Sequence, residues 1–202
     1  MRLYDVAKGE VLLDGKNIKE YSLKSYFENF GVVFQDFQIF AASIAENVKM
    51  EEVKKNDRIY VEISLQNAGF ANKLNQLPHG IDTQLTKEFN EDGVNLSGGE
   101  SQKIAIARTF MRDCSFAVLD EPSSALDPIS EYNLSRSMLK AARDKSVILI
   151  SHRLSSTRMA DKIYVLDNGS IVEEGSHDEL MNKNGIYARM FRVQSEKYQG
   201  SG

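Results

Sequence analysis

Two neighbouring carboxylates, Asp120 and Glu121, close the apolar run Phe116-Ala117-Val118-Leu119 and precede Pro122. A carboxylate at the C-terminal end of a buried strand can hold Mg²⁺ against nucleotide phosphates, which is the role open to Asp120. A second carboxylate beside it, Glu121, can polarise a water that attacks the terminal phosphate. The same residues also read as an acidic exit from strand to loop. Upstream stands Leu96-Ser97-Gly98-Gly99-Glu100. Glycines let a ligand approach the backbone, and a helix N-terminus offers free N–H groups and a positive dipole end. Ser97, Gly98 and Gly99 thus suit an anion, with the Ser97 hydroxyl as a further donor. Ser97 and Glu100 also have capping-box spacing, which needs no ligand.

Two single residues join them. Gln35 follows the apolar segment Gly31-Val32-Val33-Phe34, where its amide oxygen can reach Mg²⁺ or a water, or simply be solvated. His152 follows Val147-Ile148-Leu149-Ile150-Ser151. An imidazole there can donate to a phosphate oxygen, or serve structure alone. His79, in a Pro-Gly turn, and His177, in a capping segment, are assigned no chemistry.

The elements that must position these residues alternate in the second half of the chain. Strands are predicted at 116–120, 146–151, 162–167 and 170–174, with helices starting near 98, 127, 153 and 176. Asp127-Pro128 is a helix start, with a capping carboxylate before a proline at the first helical position. Asp167-Asn168-Gly169 is a hairpin turn, and Ser176 with Glu179 is a capping box. Earlier, residues 9–18 read as a short strand and turn, and Ser43-Ile44-Ala45-Glu46 opens a short helix. From 57 to 77 the pattern is helical, with Ile59, Ile63 and Leu65 expected on one apolar side and a break at Gly69. Alternating strand and helix implies an α/β fold with a mostly parallel sheet. Residues 36–112 interrupt the alternation as a helical lobe.

Composition narrows the function. A net charge of -4 argues against a nucleic-acid partner, which needs a basic face. A single cysteine, Cys114, forms no internal disulfide, which fits a reducing compartment. No apolar run approaches the roughly 20 residues of a membrane span, and no signal-peptide pattern opens the chain.

Taken in order, these segments resemble the ATPase domain of ABC transporters. Gln35 matches the family's Q-loop, Leu96 to Glu100 its signature and Phe116 to Asp120 its Walker B strand. Glu121 matches the catalytic glutamate, Ser124-Ala125-Leu126-Asp127 the D-loop and His152 the H-loop. Phe40 to Val48, His79 to Thr83 and Ala160 to Leu166 are similar to the exporter branch. Thr86 to Gly93 lies where exporters carry a loop that contacts the membrane domain, and departs from the usual glycine-rich form.

The resemblance implies a P-loop NTPase-like ABC ATPase core built from 1–35 and 113–202, with 36–112 as the inserted helical lobe. It implies ATP and Mg²⁺ as ligands, with Glu121, His152 and Gln35 catalytic and Asp120 and Gln35 on the metal. Ser97, Gly98, Gly99, Glu100 and Asp127 would face nucleotide. The partners implied are a second ABC ATPase domain, the same or different, and the transmembrane domain of an exporter, with the site at the cytoplasmic face of the membrane.

One family element is missing from the 202 residues. The phosphate cradle, or Walker A loop, takes Gly, four residues, then Gly-Lys-Ser/Thr. Gly15-Lys16 is followed by Asn17 and has Glu10 where the first glycine belongs. By the resemblance, Met1 to Asp5 end the helix after that loop, so the domain is expected to be N-terminally truncated and negligibly active alone. The alternative is an incompetent fragment that works only by association with an intact subunit. Chromosome-maintenance ATPases share the signature, but their long heptads and basic surface are absent.

Overall fold

The computed structural model describes residues 2–122, 126–141 and 145–199. Asp14 and Gly15 both take positive φ, 51° and 76°, and fold β1 (Leu12–Leu13) back on β2 (Lys16–Asn17). That is the conformation a two-residue hairpin turn requires. Ser22 caps α1 (Leu23–Glu28), which leads into β3 (Phe30–Val33).

The helical region follows. α2 (Ile44–Lys49) starts at the Ser43–Glu46 capping box, with both reciprocal bonds formed. α3 (Arg58–Asn67) stops before Gly69, whose φ is 74°, and α4 (Ala71–Leu74) is one further turn. α5 (Gly98–Met111) begins at Ser97 and packs on α2, α3 and β3.

β4 (Phe116–Asp120), α6 (Pro128–Ala141) and β5 (Ser146–Ile150) then alternate as expected. After the short α7 (Leu154–Thr157), β6 (Ile163–Asp167) and β7 (Ser170–Gly175) form the hairpin that Asn168-Gly169 predicts. α8 (His177–Lys183) and α9 (Ile186–Gln199) are the last described elements. α9 was absent from the sequence expectation, although the Asn184-Gly185 stop and the apolar Ile186, Tyr187, Met190 and Phe191 mark it.

The central sheet is parallel, in the order β3-β4-β5. Its core joins Val33 and Leu119 of the strands to Ile44, Val48, Val61, Leu65, Ile104 and Ile106 of the helices. Full burial of one such side chain stabilises by about 1.5–3 kcal/mol. β3 runs close to α5 at Gly31, where a Cβ would meet Thr109 Cγ2 at 3.1 Å and Cys114 Sγ at 3.0 Å. A smaller cluster of Leu154, Ile163, Leu180 and Tyr187 seats the last two helices against β6.

One expectation changes. α3 buries Val61, Ser64 and Leu65, while Ile59 and Ile63 stay exposed. Leu65 lies about 240° around the helix from Ile59, so the apolar residues form separate stripes, and α5 covers only one. In β5, Ile148 and Ile150 are about half exposed, and the strand pairs only with β4 among the described residues. No helix among the described residues is long and apolar enough to cross a membrane.

Candidate active site

Register gathers the site. Val33 pairs with Leu119, Leu119 with Leu149 and Asp120 with Ile150, so the three strands end level. Gln35, Asp120-Glu121 and His152 therefore leave the sheet at one edge, the carboxyl end where open parallel sheets bind ligands.

Glu121 is the structural centre of that edge. Its φ is 48°, a left-handed backbone that costs a non-glycine residue about 1 kcal/mol or more. Bonds on either side hold it there. Its N–H donates to Ile150 O at 2.9 Å, and its carbonyl accepts from Gln102 Nε2 at 3.3 Å. Its carboxylate Oε1 lies 2.5 Å from His152 Nδ1. Glu121 is mostly buried, whereas the imidazole is 65% exposed and open to a ligand. The pair matches a base with an orienting partner.

Asp120 is half-buried at the strand end and Gln35 is exposed two residues beyond β3. A carboxylate and an amide oxygen are hard donors of the kind Mg²⁺ accepts when phosphates and waters fill its remaining positions. Among the described residues, no cluster of three or more His, Cys, Asp or Glu is ready to hold a metal by protein groups alone. The donor set thus fits Mg²⁺ arriving with a phosphate ligand.

The signature segment lies at the start of α5. Ser97 Oγ accepts from Glu100 N–H at 3.3 Å, and Glu100 Oε2 accepts from Ser97 N–H at 2.8 Å. Glu100 Oε1 meets Lys73 Nζ of α4 at 3.0 Å. Burial works against ionisation of Glu100, but these bonds outweigh it and hold its carboxyl below the usual range. Glu100 is therefore occupied within the protein, and Ser97, Gly98 and Gly99 form the free end of the helix. Gln102, one turn on, carries the link from α5 to Glu121. Asp127 caps α6, its Oδ1 accepting from Ile129 and Ser130 N–H, both at 3.0 Å. Hydrogen bonding at Ser130 lowers its pKa. Ser124 and Ala125 of the expected D-loop lie outside the described residues.

Sequence reasoning missed several supports. Arg153 reaches the buried Glu131 of α6 at 2.8 Å and Leu126 O at 3.4 Å, and Ser155 Oγ donates to Glu131 at 3.0 Å. Arg108 of α5 donates to Gln38 O at 2.7 Å and Asn47 O at 2.8 Å, fixing the segment that follows Gln35. Burial lowers the pKa of this guanidinium. The local signals are slight: an arginine directly after His152, and an arginine on the otherwise apolar face of α5.

The family model described as ABC transporter matches residues 1–124. The chain belongs to the ABC transporter family. This ABC transporter chain is 39% identical over 193 residues to an ATP-dependent lipid A-core flippase of Vibrio parahaemolyticus serotype O3:K6 (strain RIMD 2210633), covering 96% of the chain and 32% of the flippase. A flippase of the same name from Pasteurella multocida (strain Pm70) is 40% identical over 193 residues, with the same coverage of 96% and 32%. Among solved structures it matches a bacterial Atm1-family ABC exporter with ATP bound, at TM-score 0.85 and 33% identity, covering 96% of this chain and 33% of that one. The fold is thus the family's α/β, P-loop NTPase-like core. The ABC transporter chain spans about a third of the length of these relatives.

Proposed function

We propose that this chain is the ATP-hydrolysing part of an ABC exporter, coupling ATP hydrolysis to movement of a substrate across a membrane. One observation carries the reading: the Glu121 carboxylate and His152 imidazole meet at 2.5 Å on the carboxyl edge of a parallel sheet. In this reading Glu121 orients the attacking water and takes its proton. His152, held by Glu121, donates to an oxygen of the transferred phosphoryl group. The bond broken joins that phosphorus to the bridging oxygen of ADP; the bond formed joins it to the water oxygen. Asp120 and Gln35 would hold Mg²⁺, which neutralises phosphate charge when bound. Ser97, Gly98 and Gly99 would offer N–H and hydroxyl donors to a terminal phosphate held by a second ATPase domain, with Asp127 at the seam between the two. Glu100 serves there by shaping the helix start.

The domain plan follows the same reading, with 1–35 and 113–202 as the nucleotide-facing core and 36–112 as a lobe that meets the exporter's transmembrane domain. The site then lies at the cytoplasmic face. Glu121→Gln tests the assignment in the transporting assembly. A positioned base is worth about 10²–10⁴-fold, so turnover should fall by that order while ATP remains bound. Unchanged turnover would remove Glu121 from the chemistry.

A further inference from the structure

We propose that Gln194 of α9 is a positioning residue for His152. The side-chain amide of Gln194 bonds the backbone on both sides of Arg153. Its Nε2 donates to His152 O at 2.6 Å, and its Oε1 accepts from Leu154 N–H at 2.9 Å. One amide thus pairs with residues 152 and 154 much as a neighbouring strand would, from 40 or more residues along the chain.

The His152 turn needs such a clasp. Its imidazole is 65% exposed, so packing does little to fix the ring, and Glu121 is the side chain that meets it. At 2.5 Å that contact has no slack, and a misplacement of about 1 Å at a reacting group can cost on the order of 100-fold in rate. Arg153 anchors the turn to α6 through Glu131, on a different element from α9. α9 is itself pinned where it starts. Tyr187 is 1% exposed, and its hydroxyl lies 3.1 Å from Thr157 Oγ1 at the end of α7. Tyr187 and Gln194 are seven residues apart, about 10 Å along a helix. The helix is therefore a strut fixed at one point by packing and presenting its amide at the other.

The consequence for turnover rests on the reading proposed above for His152, but the positioning does not, and the experiment separates them. In isotopically labelled 202-residue chain without nucleotide, the His152 ring resonances report its contact with Glu121. Glu121→Gln should displace them in the wild-type background. In Gln194→Ala that displacement should fall to less than half. Gln194→Glu keeps the acceptor for Leu154 N–H but loses the donor to His152 O. It should preserve slow exchange of the Leu154 amide while still weakening the response, which excludes unfolding as the cause. Val193→Ala, on an exposed position of the same helix, should leave the response intact. A full response in both Gln194 variants overturns the proposal, as does an equal loss in Val193→Ala. In a hydrolysing assembly, Gln194→Ala should lower kcat about tenfold or more with KM for ATP unchanged. An assembly without turnover would refute the function and leave the ring measurement to decide the positioning.

Discussion

Replacing Asn47 with alanine tests how the segment after Gln35 is held. Asn47 is 1% exposed. Its Oδ1 accepts from Phe40 N–H at 2.9 Å and Arg108 Nη2 at 3.2 Å; its Nδ2 donates to Phe40 O, Ser43 O and Ala42 O at 2.9, 3.1 and 3.3 Å. These bonds differ in how replaceable they are. Ala42 O also accepts from Leu85 N–H, Phe40 O from Ala42 N–H and Ser43 O from the N–H of residue 47. Arg108 keeps Gln38 O and the carbonyl of residue 47. Among the described residues, only the Phe40 N–H loses its sole acceptor. One stranded donor costs about 1–3 kcal/mol, and the weakened remainder adds about 1 more. The sum is about 2–4 kcal/mol, or about 5–15 °C in Tm for a chain of this size. Asn47→Asp retains the acceptor for Phe40 and places a charge beside Arg108, so it should cost roughly half as much or less. Urea unfolding followed by circular dichroism gives both values, provided the slope m is unchanged. Equal losses for alanine and aspartate, or a loss below about 1 kcal/mol for alanine, would refute this ranking of the bonds.

Two further outcomes are expected. Thr109 Oγ1 is buried without a hydrogen-bond partner among the described residues, so Thr109→Val should raise Tm by about 2–4 °C, as removing an unpaired hydroxyl gains about 1 kcal/mol. A lower Tm would mean that the hydroxyl is satisfied. Glu173 accepts from Tyr187 N–H at 2.9 Å and Ile186 N–H at 2.7 Å, and the first of these bonds leads in lowering its carboxyl pKa. A depressed carboxyl stabilises the fold above the unfolded value near 4.3, and that stability is lost as pH falls through the folded value. Gly185→Ala places a Cβ 1.7 Å from Glu173 Oε1. It should release the carboxylate and flatten this acid dependence, measured as stability from pH 6 down to about pH 3.

What could be read in advance was local. The capping boxes at 43–46, 97–100 and 176–179 form with both reciprocal bonds because every partner lies three residues away. Asp14-Gly15 and Asn168-Gly169 turn for the same reason. Strand ends fall within about one residue of expectation, the usual scatter of such boundaries. The site was legible as residue types: the carboxylates, histidine and glutamine lie at strand ends. How they meet was not, because strand register is set by the packed sheet. The supports were hidden by distance along the chain: Arg108 meets Asn47 from 61 residues away and Gln38 from 70. Two apolar stripes on α3 look alike in sequence, and only the placement of α5 decides which is buried.

The left-handed backbone at Glu121 divides the labour of two adjacent acids. Along β4, Ala117 and Leu119 are buried while Phe116, Val118 and Asp120 are only partly so. Continued strand alternation would send residue 121 inward with Ala117 and Leu119. The reversal of φ takes it out of that pattern and delivers its carboxylate to His152. The order Asp-Glu therefore cannot be exchanged for Glu-Asp. The first acid must end a strand, and the second must leave one. Adjacent charges that would otherwise repel at a single point are turned in different directions by one torsion angle.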